Sequence, residues 1–355
     1  MCRRPRPIAP TDPMMPSGQT ISPPPARRRT VTSKPTVLGP APSAPAEVAL
    51  RDLATADSLL LALDFDGVLA PLQDDPSTSR MAPESASAIA ALAGLPRTRV
   101  ALVSGRDIAT LRRLSEAPDS AWLIGSHGAE AELGTDADRN PDTAMGRSPE
   151  LAPAEAEMLA AIDAHLDAFE HTLPGADERP GSAAATTGAA ATTGSAATIG
   201  ASDSAHADGP SDFLIERKPY SRTVHTRGLA PEAAAALHEH ALDVVEEFPD
   251  IRVIEGHDIT ELAVKQATKG DGIRLLARAG EPTAMGYLGD DVTDEDAFAA
   301  LDELTDSRAL NAGLTVKVGP APTRASWRIA DPAAVAELLG RLVAERTEFL
   351  RTVHD

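Results

Sequence analysis

Four short apolar runs along the chain each stop at a cluster of small and polar residues. Leu59–Leu63 leads into Asp64-Phe65-Asp66-Gly67, and Thr98–Val103 into Ser104-Gly105-Arg106-Asp107. Ala121–Ile124 leads into Gly125-Ser126-His127-Gly128-Ala129-Glu130, and Ala284–Leu288 into Gly289-Asp290-Asp291. Unbroken apolar runs of this length suit strands of a parallel sheet, buried on both faces. The segments between them carry apolar residues at helical spacing: Ile89, Leu92 and Leu95, then Leu111 and Leu114, then Ile273, Leu275 and Leu276 after Lys269. A helix through Phe298 and Leu301, a strand at Leu314–Val318 and a closing helix from Pro332 to about Leu350 complete the pattern. This β-loop-α rhythm predicts a doubly wound parallel-sheet α/β core.

The rhythm breaks in the middle of the chain. Residues 134–150 are polar, and Pro153–Leu173 has helical spacing (Met158, Leu159, Ile162, Leu166, Phe169). Residues 174–210 are dominated by Ala, Thr, Gly and Ser and cannot bury enough surface to offset their ordering entropy, which predicts a disordered insertion. Two short strands follow, Phe213–Lys218 and Arg222–Thr226, then an amphipathic helix, Pro231–Phe248, then strands at Ile251–Glu255 and Ile259–Val264. The expected organisation is an α+β domain over 131–262 inserted into a core made of 49–130 and 263–355. Residues 1–48, rich in Pro, Arg, Ser and Thr, read as a disordered basic tail.

Composition narrows the function. Aromatic residues are only 3% of the chain, so Ala, Leu and Val must do the packing. A net charge of −20 argues against a nucleic-acid partner, whose phosphates would be repelled. The lone cysteine, Cys2, allows no intramolecular disulfide. No apolar run reaches the length of a membrane span, and no apolar segment follows Arg3, Arg4 and Arg6 as a secretory signal would require. These features predict a soluble, cytoplasmic protein without a membrane partner.

The chemistry gathers at the strand ends, where open α/β sheets hold ligands. Asp64 and Asp66 repel each other unless a cation sits between them, and oxygen ligands suit Mg²⁺. Ser104 offers a hydroxyl beside a helix start, suited to a phosphoryl oxygen. Lys269 and the Asp290-Asp291 pair open two further helical segments. Taken singly, each has a bland alternative: a turn, a surface lysine, an acidic helix cap. Together, in one alternating framework, they describe a phosphoryl-transfer site.

DFDG, SGR, a lysine opening a helix and GDD, in that order, resemble the haloacid dehalogenase superfamily of phosphatases. The details resemble its trehalose-6-phosphate phosphatase branch. They are Asp64 through Pro71, the GSHGAE loop, the set Glu216, Lys218, Ser221, His225 and Arg227, Glu261 eight residues before Lys269-Gly270, and GDDVTDEDAF from Gly289 to Phe298. The match covers about residues 50–350 without the low-complexity insertion. The resemblance implies a core with an inserted cap domain and an Mg²⁺-dependent hydrolysis of trehalose 6-phosphate to trehalose and phosphate. It implies Asp64 as nucleophile forming an aspartyl-phosphate and Asp66 as acid and base, with Ser104 and Lys269 on the phosphoryl group. Metal ligands would be Asp64, the carbonyl of Asp66 and Asp290, with waters oriented by Asp291 or Asp294. Arg106, His127, Glu130, Glu216, Lys218, His225, Arg227 and Glu261 would bind the sugar phosphate. A trehalose-phosphate synthase is the protein partner it suggests.

The chain departs from that pattern at Val68, where the family usually has Thr, at Ala263-Val264, where Arg-Pro is frequent, and at Thr226, where an aromatic is usual. These changes bear on substrate preference more than on reaction type. Alternatives are a phosphatase of another sugar phosphate, such as sucrose phosphate, a phosphotransferase, and a catalytically weak regulatory paralogue.

Overall fold

The computed structural model describes residues 36–37, 44–73, 75–134, 146–147, 149–170, 214–227, 229–256 and 258–354. Its larger sheet contains nine strands: β1 (Thr36–Val37), β2 (Leu59–Leu63), β3 (Thr98–Val103), β4 (Trp122–Gly125), β5 (Glu130–Glu132), β6 (Gly146–Arg147), β11 (Ala284–Gly289), β12 (Ala312–Val318) and β13 (Trp327–Ile329). Their spatial order is β1-β13-β12-β11-β2-β3-β4-β5-β6, parallel except where β5 meets β4 and β6. All five residues of β2 are buried, as the unbroken Leu-rich run requires of a central strand. Leu61 and Leu63 belong to one core layer and Leu60 and Ala62 to the other, so the strand's alternation serves both faces. Helices α1 (Ala44–Ala54), α2 (Pro83–Ala93), α3 (Ile108–Ser115) and α8 (Pro332–His354) supply the first layer, while α6 (Lys269–Gly280) and α7 (Asp294–Asp306) supply the second. The doubly wound α/β core expected from the pattern is therefore present.

Between β6 and α6 the chain builds a second, antiparallel sheet in the order β7-β8-β10-β9: β7 (Leu214–Arg217), β8 (Ser221–His225), β9 (Arg252–Gly256) and β10 (Ile259–Ala263). Helices α4 (Pro153–Glu170) and α5 (Pro231–Glu247) cover one of its faces through Leu159, Ile162 and Leu166 on one and Leu237, Ala241 and Val244 on the other. Arg222 on that face is held by Asp163 of α4, with Nε–Oδ1 2.6 Å and Nη2–Oδ2 2.7 Å. The opposite face carries Glu216, Thr223 and Glu261 side by side, because β7, β8 and β10 pair in that register.

Two expected boundaries shift. The break placed at 131 falls inside the larger sheet, since β5 pairs with β4 and β6 pairs with β5. The tail placed over 1–48 ends sooner: β1 lies beside β13, and α1 begins at Ala44. Only Leu50 and Leu53 anchor α1 among Ala and charged residues, too weak a stripe to read without the helix α8 it meets. The low-complexity segment 174–210 lies outside the described residues. Among the described residues, no helix is long and apolar enough to cross a membrane.

Candidate active site

Three carboxylates meet at the carboxyl ends of the central strands. Asp64 extends β2, its N–H donating to the Leu288 carbonyl of β11 at 3.0 Å. Lys269 stands at the first position of α6, behind a reciprocal cap in which Thr268 and Asp271 satisfy each other's backbone N–H. Its Nζ donates to Asp64 Oδ2 and to Asp294 Oδ1, both at 2.7 Å. Tyr287 donates its hydroxyl to the same Asp294 oxygen at 2.5 Å. The other oxygen, Oδ2, accepts the N–H groups of Asp290 and Asp291 at 2.8 Å each. Asp294, expected to orient waters, is thus committed to the lysine, the tyrosine and the loop. Gly67 is needed here twice over: its φ is +73°, and a Cβ would stand 2.0 Å from Asp290 Oδ2.

The charges do not balance. Oxygens of Asp64, Asp290 and Asp294 lie within 4.8 Å of one another, with the Lys269 ammonium bonded to two of these acids. Burial pushes the Asp64 carboxyl well above its usual range; Lys269 opposes that rise, while Asp294 and Asp290 add to it. Burial, then the charge of Asp294, pushes Asp290 up to about 7. Asp294 goes the other way, because Lys269 and its hydrogen bonds outweigh burial. Burial would lower the Lys269 pKa, but Asp294 and Asp64 hold it above the ordinary lysine value. Two acids raised by burial and by neighbouring carboxylates, with oxygen donors only, fit a hard divalent cation. Asp64 accepts one backbone N–H, from Phe65 on Oδ1 at 2.7 Å, beside Lys269 on Oδ2, whereas both Asp294 oxygens take two donors each.

A second grouping, His165, His240 and Asp243, lies on α4 and α5. Its imidazoles stack with centroids 4.0 Å apart and planes 8° from parallel. Each Nε2 is hydrogen-bonded to the other residue's backbone carbonyl, His165 to His240 at 2.5 Å and His240 to His165 at 2.8 Å, so this is a helix–helix contact rather than an ion site.

Asp66 turns away from the acid cluster. Arg106 grips it with two bonds, Nε–Oδ2 2.6 Å and Nη2–Oδ1 2.8 Å. Arg106 also donates to the Pro76 carbonyl at 2.9 Å and to Ser79 Oγ at 3.2 Å. The arginine expected to bind substrate is engaged with protein groups in this state. Ser104, at the end of β3, is 1% exposed, and its Oγ accepts the Arg106 N–H at 3.2 Å. Glu130, expected at the ligand, instead accepts from Ser126 Oγ at 2.7 Å and the Ile108 N–H at 3.2 Å. It braces the loop that carries His127. In that loop Ser126 and His127 both have positive φ, +47° and +54°, a strained conformation for residues with a Cβ.

The strain delivers His127 to the second sheet. Its Nε2 lies 3.4 Å from Glu261 Oε2, which also accepts from Lys218 Nζ at 2.9 Å; Glu261 Oε1 accepts from Ser221 Oγ at 2.6 Å. Glu216 lies 3.2 Å from His225 Nε2 and 4.0 Å from Lys218 Nζ. Burial works against the Glu261 charge, yet Lys218 and His127 bring its carboxyl well below the usual range. Lys218 is raised, because Glu261 and Glu216 outweigh its burial. Arg227 reaches across to the Gln73 carbonyl at 3.1 Å, tying the second sheet to the loop after β2. Two buried polar atoms of residues at this junction, His127 Nδ1 and Thr223 Oγ1, have no hydrogen-bond partner. Buried polar atoms are rarely left so unless something else completes them.

Sequence reasoning missed Tyr287 and Lys317, since both sit inside apolar runs taken as core. Lys317 Nζ donates to the Asp290 carbonyl at 2.6 Å and the Asp291 carbonyl at 3.2 Å. A lone lysine among Leu314, Val316 and Val318 was the available signal. Val68, the departure from the expected motif, is fully buried in the first core layer, so a valine there gains packing where a hydroxyl would need a partner.

The sequence profile of the trehalose-phosphatase family matches residues 62–178 and 211–333. A trehalose 6-phosphate phosphatase of Zea mays is 27% identical over 302 residues, covering 82% of this chain and 72% of its own. Trehalose-phosphate phosphatase B of Arabidopsis thaliana is 26% identical, covering 82% and 67%. Among solved structures, the C-terminal domain of the Candida albicans trehalose-6-phosphate phosphatase superposes with a TM-score of 0.61 at 20% identity, covering 84% of this chain and 96% of that one. A trehalose-6-phosphate phosphatase related protein gives 0.55 at 21% identity, covering 81% and 99%. These neighbours share the fold. The chain belongs to the trehalose-phosphatase family, a family of phosphoric monoester hydrolases.

Proposed function

We propose that the protein hydrolyses trehalose 6-phosphate to trehalose and phosphate, using Mg²⁺ and an aspartyl-phosphate on Asp64. The observation that carries this is the bridge from Lys269 to Asp64 and Asp294 beneath an acid pair left one cation short. An Asp64 carboxylate oxygen attacks phosphorus, and the bond from phosphorus to the sugar oxygen breaks. Asp66 gives that oxygen a proton, then takes one from water as the water attacks the acyl-phosphate and frees phosphate. Asp64, the Asp66 carbonyl and Asp290 would hold Mg²⁺, which neutralises charge on the phosphoryl oxygens when bound. Lys269 supplies a fixed positive charge beside the nucleophile, and Ser104 a hydroxyl at the neighbouring strand end. For Asp66 to carry a proton, Arg106 must let it go; an incoming phosphate or sugar oxygen is the natural replacement.

The second sheet acts as a cap over the site. Its polar face, with Glu216, Lys218, His225 and Glu261, offers donors and acceptors to sugar hydroxyls. A regulatory module that binds ligand or a synthase partner without turnover is disfavoured, because Asp64, Asp66, Ser104, Lys269 and Asp290 are all retained.

Phosphate release from trehalose, sucrose and glucose 6-phosphates, with and without Mg²⁺, tests the assignment. Release is expected from trehalose 6-phosphate, only with Mg²⁺, and should fall by at least ~10³-fold in Asp64→Asn. Release from sucrose phosphate alone would replace the substrate. Equal release by Asp64→Asn would remove the covalent mechanism.

A further inference from the structure

The acid loop after β11 is held from two sides, and only one of them belongs to the expected motif. From below, Asp294 Oδ2 takes the N–H groups of Asp290 and Asp291. From the neighbouring strand, Lys317 gives its ammonium protons to the carbonyls of the same two residues, at 2.6 and 3.2 Å. Lys317 stands opposite Gly289 in the β11–β12 register, one residue from the loop. It is 1% exposed, and the nearest carboxylate oxygen, on Glu295, is 3.9 Å away. Burying an ammonium costs several kcal/mol even with an ion-pair partner at that distance, and an apolar side chain would pack there at no such cost. The charge is therefore not explained by packing. What it does is fix both carbonyls of a turn whose side chain must point at Asp64. With four backbone groups clamped, the Asp290 carboxylate is pinned against Gly67, where even a methyl group would collide with it.

We propose that Lys317 is a positioning residue for the cation site: it clamps the Asp290-Asp291 turn and so sets the affinity for the divalent ion. It touches neither substrate nor ion. The proposal rests on Mg²⁺ binding at Asp64 and Asp290. Groups that orient ligands from behind usually matter 10- to 100-fold, so Lys317→Met should weaken Mg²⁺ binding by roughly that factor. The affinity is measured by titration calorimetry on the full chain without substrate. KM for the sugar phosphate at saturating Mg²⁺ should stay within about twofold, because Lys317 faces the loop's carbonyls and not the second sheet. If Lys317→Met does not fold, Lys317→Gln, which keeps a neutral donor, carries the test and should lose Mg²⁺ affinity by a smaller factor. A wild type that binds no Mg²⁺ overturns the cation reading itself. A wild type that binds it, with a folded variant of unchanged affinity, overturns the role of Lys317, and a lower melting temperature alone would then mark it as structural.

Discussion

Two charged centres lie on either side of the junction between the sheets, and they are built on opposite plans. At the carboxyl ends of β2 and β11, three carboxylates crowd together with Lys269 bonded to two of them, and Asp64 and Asp290 are pushed up, Asp290 to about 7. On the polar face of the second sheet, Lys218 stands between Glu216 and Glu261, and both glutamates are held below their usual range. The first centre lacks a positive charge and is suited to gain one. The second already pairs its glutamates with Lys218 and is suited to hydrogen-bond a polyhydroxylated group. A rigid parallel sheet can hold like charges together because each acid is tied to a buried backbone. An antiparallel sheet with one open face instead sets its charges side by side in cross-strand register.

Breaking the lysine of the first centre should give the largest effect. Lys269→Met leaves Asp64 and Asp294 buried without their partner, which should cost about 3–5 kcal/mol of stability and ~10²–10³ in kcat. Denaturant titration and steady-state kinetics check both; a fold as stable as wild type would mean the acids do not need the pair. Gly67→Ala should follow. Its Cβ would stand 2.0 Å from Asp290 Oδ2, so Asp290 must move, and Mg²⁺ affinity should drop roughly 10- to 100-fold. Calorimetric affinity equal to wild type would show that Asp290 is not held there.

The acid–base state of the first centre gives a smaller, graded effect. With the Asp290 pKa raised to about 7, its carboxyl keeps its proton below that pH, and Mg²⁺ must displace it. Affinity should therefore fall below about pH 7, by up to about tenfold per pH unit, with proton release on binding. For the ion-free fold the same shift has the sign of a raised pKa: stability is greatest below about pH 4 from this group and is lost as pH climbs through 7. Calorimetry in buffers of different ionisation enthalpy reads the proton; affinity flat from pH 5.5 to 8 would contradict it. The second centre should respond least. Lys218→Ala should raise KM for the sugar phosphate about tenfold and leave a small aryl phosphate unaffected. Equal losses on both substrates would dissolve the contrast between the two centres.

Much of the first centre was legible because its residues sit beside strong local signals. An apolar run ending in DFDG or GDD announces a strand and its polar end at once, whatever it pairs with. The inserted sheet was legible as elements, yet nothing along the chain pairs Glu130 with Ser126 and the Ile108 N–H, or Arg106 with Asp66. Their charge is a property of the residue, but their partner is a property of the packing.

By itself, the sequence determined the alternation of buried strands and amphipathic helices, the order of the acids, hydroxyl and lysine, and the break where another unit enters. Those follow from local hydrophobic period and turn chemistry, which need only neighbours along the chain. Tertiary structure alone decided that Lys269 bridges residues 205 and 25 positions away, that Lys317 clamps the acid turn, and that a strained histidine crosses to Glu261. Such contacts depend on strand order and register, and on which buried charge the folded chain leaves unpaired. No local pattern encodes them, because their energy exists only once water has been excluded from both partners together.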